Sequence, residues 1–245
     1  MPVVQLEGKF RATHFDWSGP VCGRVCPTPE PAAPVRPLQA STAWVAANNE
    51  WADEARAVYA EAKAYVLEAA KSRPANSWAV ILDIDETVLN NVGYQIGRDK
   101  LGQGYTPESW YAWTQEKRAT LVPGVEDFLD TVTKAGGFVA FVTNRSDSEQ
   151  LATEENLADL GITRHDDFRV LLTRARPDGK SDKSSRFRLV PKMLAVQGYD
   201  QVSVIAYIGD NKGDKPAIAG DWTFFCIDQG AIYGDPCAKV PGPGR

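Results

Sequence analysis

Residues 78–92 read WAVILDIDETVLNNV, an unbroken apolar run that stops at Asp83, Asp85 and Glu86. Acids crowded at the end of such a run repel one another at neutral pH unless a proton, a cation or an electron-poor substrate compensates them. The run is also the first of a series. GFVAFVTN, DFRVLLT, QVSVIAYIGD and DWTFFCID follow it, separated by helix-like segments at 123–135, 147–160 and 183–197. That alternation predicts βαβ units and a mostly parallel sheet with helices on both faces.

Ligands of such sheets bind at the carboxyl ends of the strands. The polar residues at those ends are Asp83 and Asp85 after the first run, Thr143, Asn144 and Arg145 after the second, and Asp210, Asn211 and Asp214 after the fourth. They are expected to converge on one edge.

Bulk composition narrows the field. The chain has 245 residues, 43% hydrophobic and 24% charged, with a formal net charge of -5, which suits one ordinary globular domain and argues against a nucleic-acid polymer as partner. No apolar run reaches the roughly 18 residues of a membrane span. The opening MPVVQLEGKF lacks the charged-then-apolar plan of a secretory signal, so a cytoplasmic location and a processed, exported chain both stay open. The four cysteines fall into two local pairs, Cys22 with Cys26 and Cys226 with Cys237. An even count permits disulfides, while this spacing with only two histidines is poor for zinc.

Residues 1–40 form a proline-rich arm, and 41–245 the domain proper. From a cap at Ser41, the residues Trp44, Trp51, Ala55, Val58, Tyr59, Ala62 and Val66 recur at helical spacing, so one long amphipathic helix is predicted over 43–71.

DIDET, VTNR, a downstream lysine and GDNxxD, in that order, resemble the four motifs of haloacid-dehalogenase-like (HAD) phosphatases. DIDETVLNNVGYQ, WYAW, PGVEDF, FVTNR, DKSSR, IGDNKGD and AIYG are similar, more narrowly, to bacterial class C (lipoprotein-type) acid phosphatases and their plant acid phosphatase and vegetative storage relatives, of HAD subfamily IIIB. The resemblance covers roughly residues 44–234. It departs at Lys215–Pro216, where the family usually has Phe, and at Asp235–Pro236, where a tryptophan is usual.

The resemblance implies an α/β fold, a HAD-like Rossmannoid three-layer sandwich with a small α-helical cap near 94–120. It also implies a Mg²⁺-dependent acid phosphatase that hydrolyses phosphomonoesters through an aspartyl-phosphate. In that mechanism Asp83 attacks phosphorus and Asp85 protonates the leaving oxygen, then activates water. Their spacing fits, since side chains at i and i+2 leave an extended segment on the same side. The metal ligands implied are the Asp83 carboxylate, the Asp85 carbonyl and the Asp210 carboxylate, with Asn211 and Asp214 behind them. Thr143 would donate to a phosphoryl oxygen, and Lys183, preferred to Lys180, would neutralise the phosphorylated intermediate.

Asn144, Arg145, Tyr94, Trp113 and Tyr233 are the expected substrate contacts, with the three aromatics forming a slot for an aryl or nucleoside leaving group. Plainer roles compete with each assignment. Acids after a strand can cap a turn, Arg145 and Arg186 can be structural ion-pair partners, and the aromatics can be packing. The partner expected is a small phosphomonoester, and a homodimer stays open. The family further implies a periplasmic, outer-membrane-associated or secreted location. The competing functions are phosphotransfer to an alcohol and a non-catalytic storage or binding protein on the same fold.

Overall fold

The computed structural model describes residues 36–175, 181–217 and 219–238. The arm assigned to 1–40 lies almost entirely outside the described residues, as do His14, Cys22, Cys26 and Lys180. The helices are α1 (Ala40–Ala47), α2 (Glu50–Ala70), α3 (Val92–Leu101), α4 (Pro107–Glu116), α5 (Val125–Lys134), α6 (Gln150–Asp159) and α7 (Ser184–Val196). The strands are β1 (Trp78–Leu82), β2 (Leu89–Asn90), β3 (Thr120–Leu121), β4 (Phe138–Ser146), β5 (Val170–Arg174), β6 (Ser203–Gly209) and β7 (Thr223–Cys226).

All five apolar runs become strands of one sheet in the order β5-β4-β1-β6-β7, and every pairing in it is parallel. Strand alternation sorts the side chains into two cores. Trp78, Val80, Leu82, Val139 and Phe141 point to one face, and Ala79, Ile81, Phe138, Ala140 and Val142 to the other. The first face is covered by α2, α5 and Leu157 of α6, the second by Phe187, Val190 and Leu194 of α7. The result is a three-layer α/β sandwich.

The single helix expected over 43–71 is two helices, and it starts at Ala40 behind Gln39 rather than at a Ser41 cap. Asn48 closes α1 in the left-handed region, with φ of 54°, a conformation Asn tolerates better than other non-glycine residues. Trp51, Ala55, Tyr59, Ala62 and Val66 then form the buried stripe of α2. Between β2 and β3, an antiparallel pair, the chain folds α3 and α4. Gly93 lets the two pack closely, because a Cβ there would stand 2.8 Å from the Trp113 ring. Thr106 and Ser109 cap α4 reciprocally and Pro107 opens it.

Candidate active site

Strand register brings the predicted acids together. Leu82 pairs with Phe141 on one side and Ile208 on the other, so the residues just beyond, Asp83, Thr143 and Asp210, leave three adjacent strands at the same edge. β1 sits where the strand order reverses, the place where open α/β sheets bind ligands.

Asp83, Asp210 and Asp214 offer carboxylate oxygens within 4.8 Å of one another, and all three residues are buried. Asp214 comes this close because Gly209 has no side chain; a Cβ there would lie 2.2 Å from the Asp214 Cβ. Asp214, expected behind Asp83 and Asp210, thus brings a carboxylate oxygen into the same group. Lys183 Nζ, itself buried, donates to Asp83 Oδ1 at 2.5 Å and to Asp214 Oδ1 at 2.6 Å.

The electrostatics show a shortage of positive charge. Burial pushes the Asp83 carboxyl up to about 7, with Lys183 pulling it down and Asp214 and Asp85 pushing it further up. Asp210 is raised well above the usual carboxylate range, first by burial and then by Asp83 and Asp214. Burial lowers the Lys183 ammonium, but its two carboxylates outweigh that and hold it above the ordinary lysine value. One ammonium does not balance three buried carboxylates, and a hard divalent cation with oxygen ligands fits the deficit.

Asp85 is turned away from this triad. Its Oδ1 accepts from Arg145 Nε at 2.9 Å and Nη2 at 2.7 Å, and from Asn91 Nδ2 at 3.0 Å. Its carbonyl oxygen accepts the Tyr233 hydroxyl at 3.3 Å, which leaves one lone pair for another partner. Glu86 makes the turn after β1 in the left-handed region, with φ of 55°. Its carboxylate accepts the Asn91 amide at 2.8 Å, and burial raises it to about 8.

The remaining predicted residues divide into those that reach open space and those that do not. Thr143 is fully buried, and its Oγ1 accepts from the Arg145 amide at 3.1 Å. Asn211 donates to Asp210 Oδ2 at 2.6 Å, and Gln229 donates to the same oxygen at 3.1 Å. Asn144 is exposed and accepts Arg186 Nη2 at 2.6 Å, while Arg186 Nη1 donates to the Thr143 carbonyl. Arg145 is only 2% exposed and joins Asp85 to Thr153 and Asn91, so it orients groups at the edge and does not face solvent.

Two adjoining cavities open here. One, of about 470 Å³, is lined by Asp83, Asp85, Lys183 and Asp214. The other, of about 540 Å³, is lined by Asp85, Tyr105, Trp110, Arg174 and Tyr233 among others. The aromatic slot expected from Tyr94, Trp113 and Tyr233 is differently built. Trp113 is buried and donates to Asn91 Oδ1 at 2.9 Å, and Tyr94 is buried with its hydroxyl on Ser109. Trp110, set edge-on to Tyr94 with centroids 5.1 Å apart, and Tyr105 take the lining positions. Trp110 and Trp113 are three residues apart on α4, and only the packing against α3 decides which ring faces outward. A larger cavity of about 800 Å³ beside Trp222 includes neither triad acids nor Asp85.

Cys226 and Cys237 form a disulfide, so the second cysteine pair is closed. It ties β7 to the loop that carries Gln229 and Tyr233. Within that loop the Asp235 carbonyl accepts the Lys212 amide and the Cys237 amide donates to the Asp210 carbonyl. Asp235 and Pro236, the departure from the family pattern, thus belong to the loop's attachment. Among the described residues, no helix is long and apolar enough to cross a membrane.

Residues 31–221 match the family described as HAD superfamily, subfamily IIIB (acid phosphatase). The fold is similar to that of the class C acid phosphatase from Bacillus anthracis, at 24% identity and a TM-score of 0.64 over 77% of this chain and 82% of that one. A second structure of that protein, with tungstate bound, is matched over the same shares at 24% identity and a TM-score of 0.60.

Proposed function

The chain belongs to the HAD superfamily subfamily IIIB acid phosphatases and is a phosphomonoesterase; from that premise we propose that it is a Mg²⁺-dependent enzyme working through a phosphorylated Asp83. The observation that carries this reading is the meeting of Asp83, Asp210 and Asp214 around Lys183 at the ends of β1 and β6.

Asp83 and Asp210, with Asp214 beside them, would hold the ion, and the Asp85 carbonyl is a further oxygen donor. A divalent cation bound there supplies the positive charge that lets one anion approach another. The chain's own residues do the rest. The Asp83 carboxylate attacks phosphorus as the leaving oxygen departs, and Asp85, held by Arg145 and Asn91, gives that oxygen a proton. Asp85 then takes a proton from the water that hydrolyses the Asp83 acyl phosphate, returning Asp83 as a carboxylate and releasing inorganic phosphate. Thr143 donates to a phosphoryl oxygen, and Lys183 balances the charge on the phosphorylated aspartate.

Helices α3 and α4 act as the small cap, with Trp110, Tyr105 and Tyr233 facing the leaving group and favouring aryl and nucleoside monophosphates. The Cys226–Cys237 disulfide supports an oxidising compartment, periplasmic or extracellular, as the place of work.

The test is phosphate release from p-nitrophenyl phosphate with chelator, without it, and with Mg²⁺ restored, alongside rapid-quench trapping of ³²P on Asp83. Activity that follows the metal and a trapped phosphoenzyme are expected. An added alcohol in the same assay measures transfer against hydrolysis. No turnover in any condition would favour a storage or binding protein on this fold.

A further inference from the structure

We propose that Arg174 selects phosphomonoesters whose leaving part carries a second anionic group, such as a second phosphate. The inference rests on the reading of Asp83 as the phosphoryl acceptor and names a substrate class for that same site.

The cavity next to the triad is lined by three arginines, Arg98, Arg145 and Arg174, and three acids, Asp85, Asp99 and Glu149. The acids are engaged elsewhere. Asp85 holds Arg145 at 2.7 Å. Asp99 accepts the Gln39 amide at 2.9 Å and its side chain at 3.0 Å. Glu149 accepts from Ser146 and Thr114. Arg98 is anchored on the Gly104 carbonyl at 2.8 Å. Alone of the three arginines, Arg174 makes no side-chain ion pair or hydrogen bond with any of the described residues.

Its place is nevertheless fixed. Arg174 ends β5 in register with Ser146 of β4, so its backbone is part of the sheet. From Thr143 to Ser146 the strand climbs on the order of 10 Å, which sets the scale between the transferred phosphoryl and the Arg174 guanidinium. Arg186, lowered first by burial, is lowered further by the charge of Arg174, so the two cations share this side of the site. Among the described residues no carboxylate pairs with the Arg174 guanidinium, although it lines the cavity. An anion delivered by the substrate supplies such a partner, and the planar guanidinium suits a phosphate in a two-pronged contact.

The experiment compares 1,4-phenylene bisphosphate with phenyl phosphate in Mg²⁺, with the rate corrected for two equivalent esters. The wild-type kcat/KM ratio is expected to favour the bisphosphate about tenfold, the ratio that corresponds to roughly 1.4 kcal/mol, and to shrink as ionic strength rises. Arg174→Gln should bring the ratio close to one, and Arg174→Lys, which keeps the charge but loses the fork, should keep only part of it. A wild-type ratio of one, or a ratio that Arg174→Gln leaves unaltered, overturns the proposal. Calorimetric binding of both esters to Asp83→Asn, with and without Arg174→Gln, reads the same preference without turnover. An enzyme that hydrolyses neither ester therefore sinks the proposed activity, while the binding ratio still decides Arg174.

Discussion

Lys183 Nζ stands 2.5 Å from Asp83 Oδ1 and 2.6 Å from Asp214 Oδ1, with all three residues buried. Truncating one partner of a buried ion pair leaves the other charges uncompensated, at about 3 to 5 kcal/mol. Lys183→Met should therefore lower stability by about that amount in metal-free protein at neutral pH. It should also reduce kcat by at least about a hundredfold, the scale of losing one preorganised charge in a dry site. Urea denaturation and phosphate release read the two effects. Wild-type stability in the variant would mean that the lysine is not what holds the acids together.

The same triad fixes the pH dependence of the metal-free protein. The Asp83 carboxyl is raised by burial from 3.8 to about 7, and Asp210 moves in the same direction. A group raised on folding favours the fold in its protonated form, so its contribution is full below the unfolded value and is lost as pH rises through the folded one. Thermal denaturation in chelator should therefore show this part of the stability falling between about pH 4 and pH 7. Asp83→Asn, which cannot charge, should flatten the decline, and saturating Mg²⁺ should reverse it at pH 7. Identical pH curves for wild type and Asp83→Asn in chelator would contradict the assignment.

Much of this was legible in the chain because the information is local. Five apolar runs ending in polar residues specify strands, their order of appearance specifies a parallel sheet, and parallel register then places Asp83, Thr143 and Asp210 side by side. Other features depend on tertiary contacts with no local mark. Asn48 breaks a continuous helical pattern by adopting a left-handed conformation that Asn tolerates but does not require. Trp113 was expected in the slot and Trp110 occupies it, because close packing at Gly93 turns α4. Asp214 reached the triad through the missing side chain of Gly209, although GD is visible in the sequence. Arg174 ends an ordinary strand outside every motif, and only the lack of a side-chain partner among the described residues distinguishes it.

Arg145 gives a third prediction, since it separates positioning from charge. Both Nε and Nη2 donate to Asp85 Oδ1, and the guanidinium is held on Thr153 and Asn91 as well. Arg145→Lys keeps the charge but loses the fork, so Asp85 should be misdirected while the triad still binds its ion. Metal affinity, read by titration calorimetry, should stay within about threefold, whereas kcat should fall about 10²-fold or more, the usual scale of a misplaced general acid. Slower hydrolysis of poor leaving groups than of p-nitrophenolate is the distinguishing sign, because only a basic leaving oxygen needs the proton. Equal losses on both classes of ester would make Arg145 a structural ion-pair partner alone.

The last prediction separates the two tryptophans of α4. Trp110 lines the open cavity, edge-on to Tyr94 and with the Arg145 guanidinium 5.7 Å from its ring centroid. Trp113 is buried and holds Asn91 at 2.9 Å, the residue that also supports Asp85 and Glu86. If an aromatic leaving group stacks in this cavity, Trp110→Ala removes its platform, and stacking is worth about 1 to 3 kcal/mol per ring. The kcat/KM preference for aryl over glycerol phosphates should then fall by roughly one decade or more, at 1.4 kcal/mol per tenfold. Trp113→Phe keeps most of the volume and loses the indole donor, so it should cost about 1 kcal/mol of stability with the aryl preference intact. A preference that survives Trp110→Ala but collapses in Trp113→Phe would reverse the two roles and restore the slot expected from the sequence.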